Sequence, residues 1–203
     1  WISLLQTPEP SVLVGPRGCG KSMVFRHLSI RTHVSKLKSD PDILNKLGFF
    51  GVYIGCASDL QNDLLWIARK DGRPREMSEE ITSYFNLVLT RELLRSLAMC
   101  AVTPSMTQAL GLTESSRVKL SGFIYEQIGT CVDVIRVPGM DPLQACADVL
   151  DRLRLQLSRD MLEERKSAIK LAPTFIRELC RHARSLIPGL KEWRVAFLLD
   201  DYT

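Results

Sequence analysis

The chain has 203 residues, 45% of them hydrophobic and 25% charged, an ordinary balance for a domain able to bury its own core. No apolar run approaches the ~18–20 residues of a membrane span, and a formal charge of +4 with scattered basic residues gives no argument for nucleic acid. The six cysteines (Cys19, Cys56, Cys100, Cys131, Cys146 and Cys180) lack metal-ligand spacing and follow no secretory leader, so they read as reduced core thiols of a cytoplasmic protein, with no membrane partner.

Ser11-Val12-Leu13-Val14 is a short branched apolar run ending at Gly15, the pattern of a buried parallel strand. Lys21 to about Val34 reads as one helix with a partly apolar face. Lys36 to Gly48, interrupted by Pro41, predicts a turn and a short helix. Phe49 to Ile54 is the second strand. From about residue 58 to 190 the pattern is mainly helical. Ser78-Glu79-Glu80 looks like a helix start, with a capping hydroxyl and acids at the positive end of the dipole. Asp141 to about Lys170 predicts a long helix, and Phe175 to Ile187 another, ended by Pro188-Gly189. Cys131 to Val137 is ambiguous between strand and helix. Val195-Ala196-Phe197-Leu198-Leu199 is the third strand, continuously apolar as if covered on both faces.

Gly15-Pro16-Arg17-Gly18-Cys19-Gly20-Lys21-Ser22 fits G-x-x-x-x-G-K-[ST] in full. The glycines let the backbone curl so that successive N–H groups face one anion. The helix that follows adds its positive end. Lys21 reaches the β- and γ-phosphates, and the Ser22 hydroxyl ligates Mg²⁺. The expected nucleotide contacts are Gly15, Pro16, Arg17, Gly18, Cys19, Gly20, Lys21, Ser22 and Met23. Arg17 either touches phosphate or pairs with a surface acid, and Cys19 is most simply a small residue that fits the loop.

A phosphate loop also needs an acid at the end of a neighbouring strand to hold the metal, and a second group to orient the attacking water. Leu199-Asp200-Asp201 supplies that pattern. Asp200 is expected in the magnesium shell. Asp201 is expected to polarise water, so Lys21 and Asp201 are the catalytic candidates. The alternative is that the two acids only begin a surface loop.

Other chemistry-bearing residues read as structural. His27, His33 and His182 have no nucleophile partner at useful spacing, and His27 is expected to pack on the helix after the loop. Trp66, Trp193 and Tyr84 read as core aromatics. Arg91, Arg95, Arg152, Arg154 and Arg159 read as solvated helix faces beside acids.

Together the two motifs resemble the AAA+/STAND branch of P-loop ATPases. The loop Gly-Pro-Arg-Gly-Cys-Gly-Lys-Ser is similar to that of initiator-type ATPases of the origin-recognition kind. Leu-Leu-Asp-Asp-Tyr-Thr is similar to the final box of STAND ATPases and of bacterial ATPases resembling those initiators. The resemblance is specific over Val12–Leu28 and Trp193–Thr203 and weak between them. It implies ATP with Mg²⁺ as cofactors and an α/β three-layer sandwich with a parallel sheet. Residues 1–203 would then run from Walker A to Walker B, with about 58–190 as a large helical insertion, in a fragment whose C-terminal remainder is missing. It also implies an ATP-driven switch or remodelling module, homo-oligomers, and a protein partner or DNA engaged through the insertion or the missing domains. The usual AAA+ box ends Asp-Glu, and Asp-Asp here favours slow turnover.

Three other functions compete. A P-loop kinase would need an arginine-rich lid, for which Arg73 and Arg75 are the only cluster. A binding module would hold ATP without hydrolysing it. A nucleic-acid-binding initiator would show DNA-dependent hydrolysis that is lost at high salt. No guanine-specifying Asn-Lys-x-Asp element is present, which favours ATP over GTP.

Overall fold

The computed structural model describes residues 10–16, 18–35, 42–55, 63, 77–129 and 139–200. The elements near the phosphate loop are α1 (Lys21–Leu28), α2 (Ile30–Ser35), α3 (Ile43–Leu47) and β1 (Phe49–Gly55). The expected single helix from Lys21 breaks at Ser29, which is extended (φ −78°, ψ 132°). The break has a packing reason. In a continuous helix Leu28 and Ile30 would point about 200° apart, whereas here both are buried. β1 then passes close beneath the break. A Cβ on Gly51 would lie 2.1 Å from the Leu28 carbonyl oxygen, so only glycine fits there.

Between β1 and β2 (Arg194–Asp200) the described residues form five α-helices and one 3-10 turn. These are α4 (Ser78–Ala101), α5 (Pro104–Leu110), α6 (Glu114–Ile128), α7 (Pro142–Leu162), α8 (Phe175–Leu186) and the turn Pro188–Leu190. None of the described helices is long and apolar enough to cross a membrane. Ser78 is the first helical residue of α4 rather than its cap, which is Met77, while Glu79 and Glu80 sit in the first turn as expected. Asp141 caps α7 by accepting from the backbone N–H groups of Leu143 (2.9 Å) and Gln144 (3.3 Å).

α7 stops at Leu162, short of the predicted end. Glu164 takes a left-handed conformation (φ 56°), and the chain then runs along α4. There the Leu171 N–H donates to Ser83 Oγ (3.0 Å), Asn86 Nδ2 donates to the Ala172 carbonyl (2.9 Å), and Ile169 and Leu171 are buried. Tertiary packing has overridden helix propensity in this segment. α8 and the Pro188-Gly189 stop agree with the sequence reading.

The described sheet has two strands, β1 and β2, parallel and in register from Phe49–Arg194 to Gly55–Asp200. Parallel pairing and intervening helices make an α/β arrangement, compatible with a P-loop-like domain. Two expectations fail. Ser11–Val14 is not a strand, and Val12 is 88% exposed and Val14 84% exposed. Strand propensity is context-dependent, and this run is not laddered to the described sheet. β2 is also not covered on both faces: Leu198 and Asp200 are buried, while Leu199 on the opposite face is 40% exposed.

The main body of the core lies where α4 packs along α7, around Tyr84, Leu87, Leu94, Leu150 and Leu157. Arg91 and Arg154 lie inside this contact, only 5% and 6% exposed, which corrects their reading as solvated. Glu92 accepts from Arg31 (2.7 Å), Arg91 (2.8 Å) and Arg95 (3.2 Å). Asp151 pairs with Arg91 and accepts from Arg154 (3.0 Å), and Asp63 pairs with Arg154. Burial alone would lower the pKa of Arg91, but its ion pairs with Glu92 and Asp151 outweigh that and raise it.

Tyr84 is core, as expected, and Trp193 is half-buried against the core; Trp66 and the ambiguous Cys131–Val137 segment lie outside the described residues. Cys100 and Cys146 are buried free thiols, each pushed up to about 12 chiefly by burial.

Candidate functional site

The loop that opens α1 has the conformations its glycines permit. Gly18 and Gly20 take φ of +85° and +88°, a region costly for any side-chain-bearing residue. A Cβ on Gly15 would meet Cys19 Sγ at 2.8 Å. Gly20 is the N-cap of α1, and no side-chain hydrogen bond caps the helix. Lys21 folds back over the loop, its Nζ donating to the carbonyls of Gly15 (2.6 Å) and Pro16 (2.9 Å). Cys19 is exposed, and so is the Met23 side chain.

Ser22, in the first turn of α1, points at the end of β2. Its Oγ donates to Asp200 Oδ1 at 3.0 Å, across 178 residues of chain. Asp200 is 4% exposed. Its other oxygen, Oδ2, accepts from the Tyr53 hydroxyl at 2.7 Å. Tyr53 in turn accepts from Arg26 Nε (3.3 Å), and the Arg26 guanidinium lies 5.5 Å from the ring centroid. Burial is the main cause of a raised Tyr53 pKa, with Asp200 adding to it and Arg26 opposing it. The hydroxyl thus stays a donor to the carboxylate.

The structure brings together Gly15, Pro16, Gly18, Cys19, Gly20, Lys21, Ser22, Met23 and Asp200. Arg17 and Asp201 lie outside the described residues. Tyr53 and Arg26 were missed from sequence. Arg26 stands four residues after Ser22, so both occupy one helix face. Gly55 pairs with Asp200, which places Tyr53, two residues earlier, on the same face of the sheet. Of the histidines, His33 Nε2 contacts the His27 carbonyl (2.6 Å), the exposed His27 ring lies edge-on to that of His33 (5.4 Å between centroids), and His182 stacks on Phe123.

No group of three or more His, Cys, Asp or Glu that could hold a metal occurs among the described residues. The pair of oxygens from Ser22 and Asp200 suits Mg²⁺, which takes few protein ligands and completes its shell with water and phosphate. A glycine loop opening a helix and facing a buried strand-end carboxylate is compatible with a P-loop-like domain. The ORC-CDC6-like family model matches residues 1–202, and the chain belongs to that family. This agrees with an origin-recognition-like AAA+ module, an ATP-binding class. No curated protein and no solved structure gives a significant match.

Proposed function

We propose that the chain binds ATP with Mg²⁺ at Gly15–Ser22 and Asp200, and hydrolyses it slowly as a conformational switch or remodelling module within a larger protein. The observation that carries this is the 3.0 Å hydrogen bond from Ser22 to Asp200, which joins two sequence motifs at one point. The loop N–H groups and Lys21 would bind the phosphates. Ser22 and Asp200 would hold the metal, which when bound neutralises charge on the phosphate oxygens. Tyr53 and Arg26 fix the carboxylate. Asp201 would polarise the attacking water. The helical stretch from 58 to 190 would be an insertion that carries partner recognition, in an oligomer-forming module of the three-layer α/β type.

Asp201→Asn in the full-length protein is expected to keep ATP affinity within about threefold and to lower turnover by at least about 100-fold, the ordinary contribution of a positioned base. A wild-type protein that binds ATP without turnover would instead support an ATP-gated binding module, the reading favoured by aspartate rather than glutamate at position 201. The kinase reading rests on Arg73 and Arg75, which lie outside the described residues.

Tyr53→Phe removes one donor to Asp200 and keeps the ring. Loss of such a supporting bond costs about 10–100-fold in metal affinity. The expected result is a matching rise in the Mg²⁺ concentration that half-saturates ATP binding, with metal-free nucleotide affinity unchanged. An unchanged magnesium midpoint would show that Tyr53 does not position Asp200.

A further inference from the structure

A cavity of about 300 Å³, the size of a small-molecule site, adjoins the C-terminal end of β1 at Tyr53, Ile54 and Gly55. Five arginines line it, and they come from four helices: Arg26 from α1, Arg31 from α2, Arg91 and Arg95 from α4, and Arg154 from α7. Arg91 and Arg154 are buried. The side chains of Arg95 and Arg31 are 27% and 37% exposed, and Arg26 is exposed. The lining thus grades from the core to the surface, which gives a solute access.

The acids do not match these cations in number. Glu92 is the acid among the described lining residues, and it accepts from Arg31, Arg91 and Arg95. Asp151 pairs with Arg91, Arg95 and Arg154, and Asp63 pairs with Arg154. Among the described residues these three carboxylates face five guanidiniums, an excess of two positive charges. Asp200 does not line the cavity; its oxygens accept from Ser22 and Tyr53. Unbalanced charge held away from water is costly, and a dianion in the cavity would offset it. A phosphate monoester carries about −1.5 to −2 at neutral pH and three strong acceptor oxygens. Those oxygens point in different directions, so arginine forks can reach them from several sides. A carboxylate accepts close to its own plane. Guanidiniums supplied by four separate helices therefore suit phosphate better.

We infer that this cavity binds a small phosphate-bearing dianion at a site apart from the phosphate loop. None of Gly15–Ser22 lines it, so this inference and the ATP reading fail separately. The two sites meet at Arg26 and Tyr53, which support Asp200.

The test is calorimetric titration of inorganic phosphate, at constant ionic strength, into full-length protein carrying Lys21→Ala to disable the phosphate loop. Adding Arg31→Ala or Arg95→Ala is expected to weaken binding by at least about tenfold, the loss of one charge-assisted hydrogen bond. Arg31→Lys keeps the charge without the fork and should fall between. In otherwise wild-type protein these variants should keep circular dichroism and ATP affinity. A second measurement needs no change in the cavity: phosphate should raise the melting temperature of Lys21→Ala protein more than chloride of the same ionic strength. Malonate, a dianion with planar carboxylates, should bind at least about tenfold more weakly than phosphate; equal binding would overturn the assignment to phosphate. Glycerol 3-phosphate binding more tightly than inorganic phosphate would place an ester in the site, and the reverse would place free phosphate there, either of which upholds it. Lys21→Ala protein that neither binds phosphate nor is stabilised by it would overturn the inference. So would Arg31→Ala and Arg95→Ala variants that bind like their parent.

Discussion

Lys21→Ala should lose at least about 100-fold in ATP affinity, measured by calorimetry on the full-length protein with Mg²⁺ present. The Lys21 ammonium is held at the mouth of the loop by the Gly15 and Pro16 carbonyls, so it needs little reorganisation to meet an anion there. Each charge-assisted hydrogen bond contributes about 1.5–3 kcal/mol. Two such bonds to phosphate oxygens amount to at least about 3 kcal/mol, which is roughly two decades of affinity. The loss should be larger for ATP than for AMP, because this residue type reaches the β- and γ-phosphates. Lys21 lies in the first turn of α1, partly exposed, and alanine is a good helix former. The melting temperature should therefore hardly move. ATP binding within threefold of wild type would remove Lys21 from the site and the phosphate-loop reading with it.

The site was legible in sequence to the extent that it is contiguous. Gly15–Ser22 is one uninterrupted motif, and Asp200 directly follows an apolar run, so each could be named before any geometry was known. Tyr53 and Arg26 were not, because their role depends on β1 and β2 pairing in one register across an intervening stretch of more than 130 residues. The strands at Phe49 and Val195 were recoverable from their apolar runs. The same reasoning misread Ser11–Val14, where an apolar branched run stands exposed, because a ladder needs a partner edge as well as propensity. Helix ends were misjudged for a related reason. The segment after Leu162 is held by Ser83 and Asn86 of α4, partners that no local pattern contains.

The arginines on α4 and α7 show the same limit at its greatest energetic cost, and Glu92→Ala exposes it. Glu92 is buried and accepts from Arg31, Arg91 and Arg95, three guanidiniums drawn from two helices. In the sequence each charge simply has an acid nearby, which is why the group looked solvated. In the fold α4 and α7 close over it, and the charges must satisfy one another. Removing Glu92 leaves Arg31 and Arg95 facing Arg91, with Asp151 still shared by Arg91, Arg95 and Arg154 and Asp63 still paired with Arg154. Taking one partner from a buried ionic group costs about 3–5 kcal/mol. For a chain of this length that corresponds to a fall in melting temperature of roughly 6–20 °C. Because Glu92 and Arg91 are themselves buried, added salt should recover little of the loss at that pair, unlike a surface pair. A fall of less than about 2 °C would mean that the desolvation cost of the network cancels its attraction, and that the α4–α7 contact is held by its apolar residues alone.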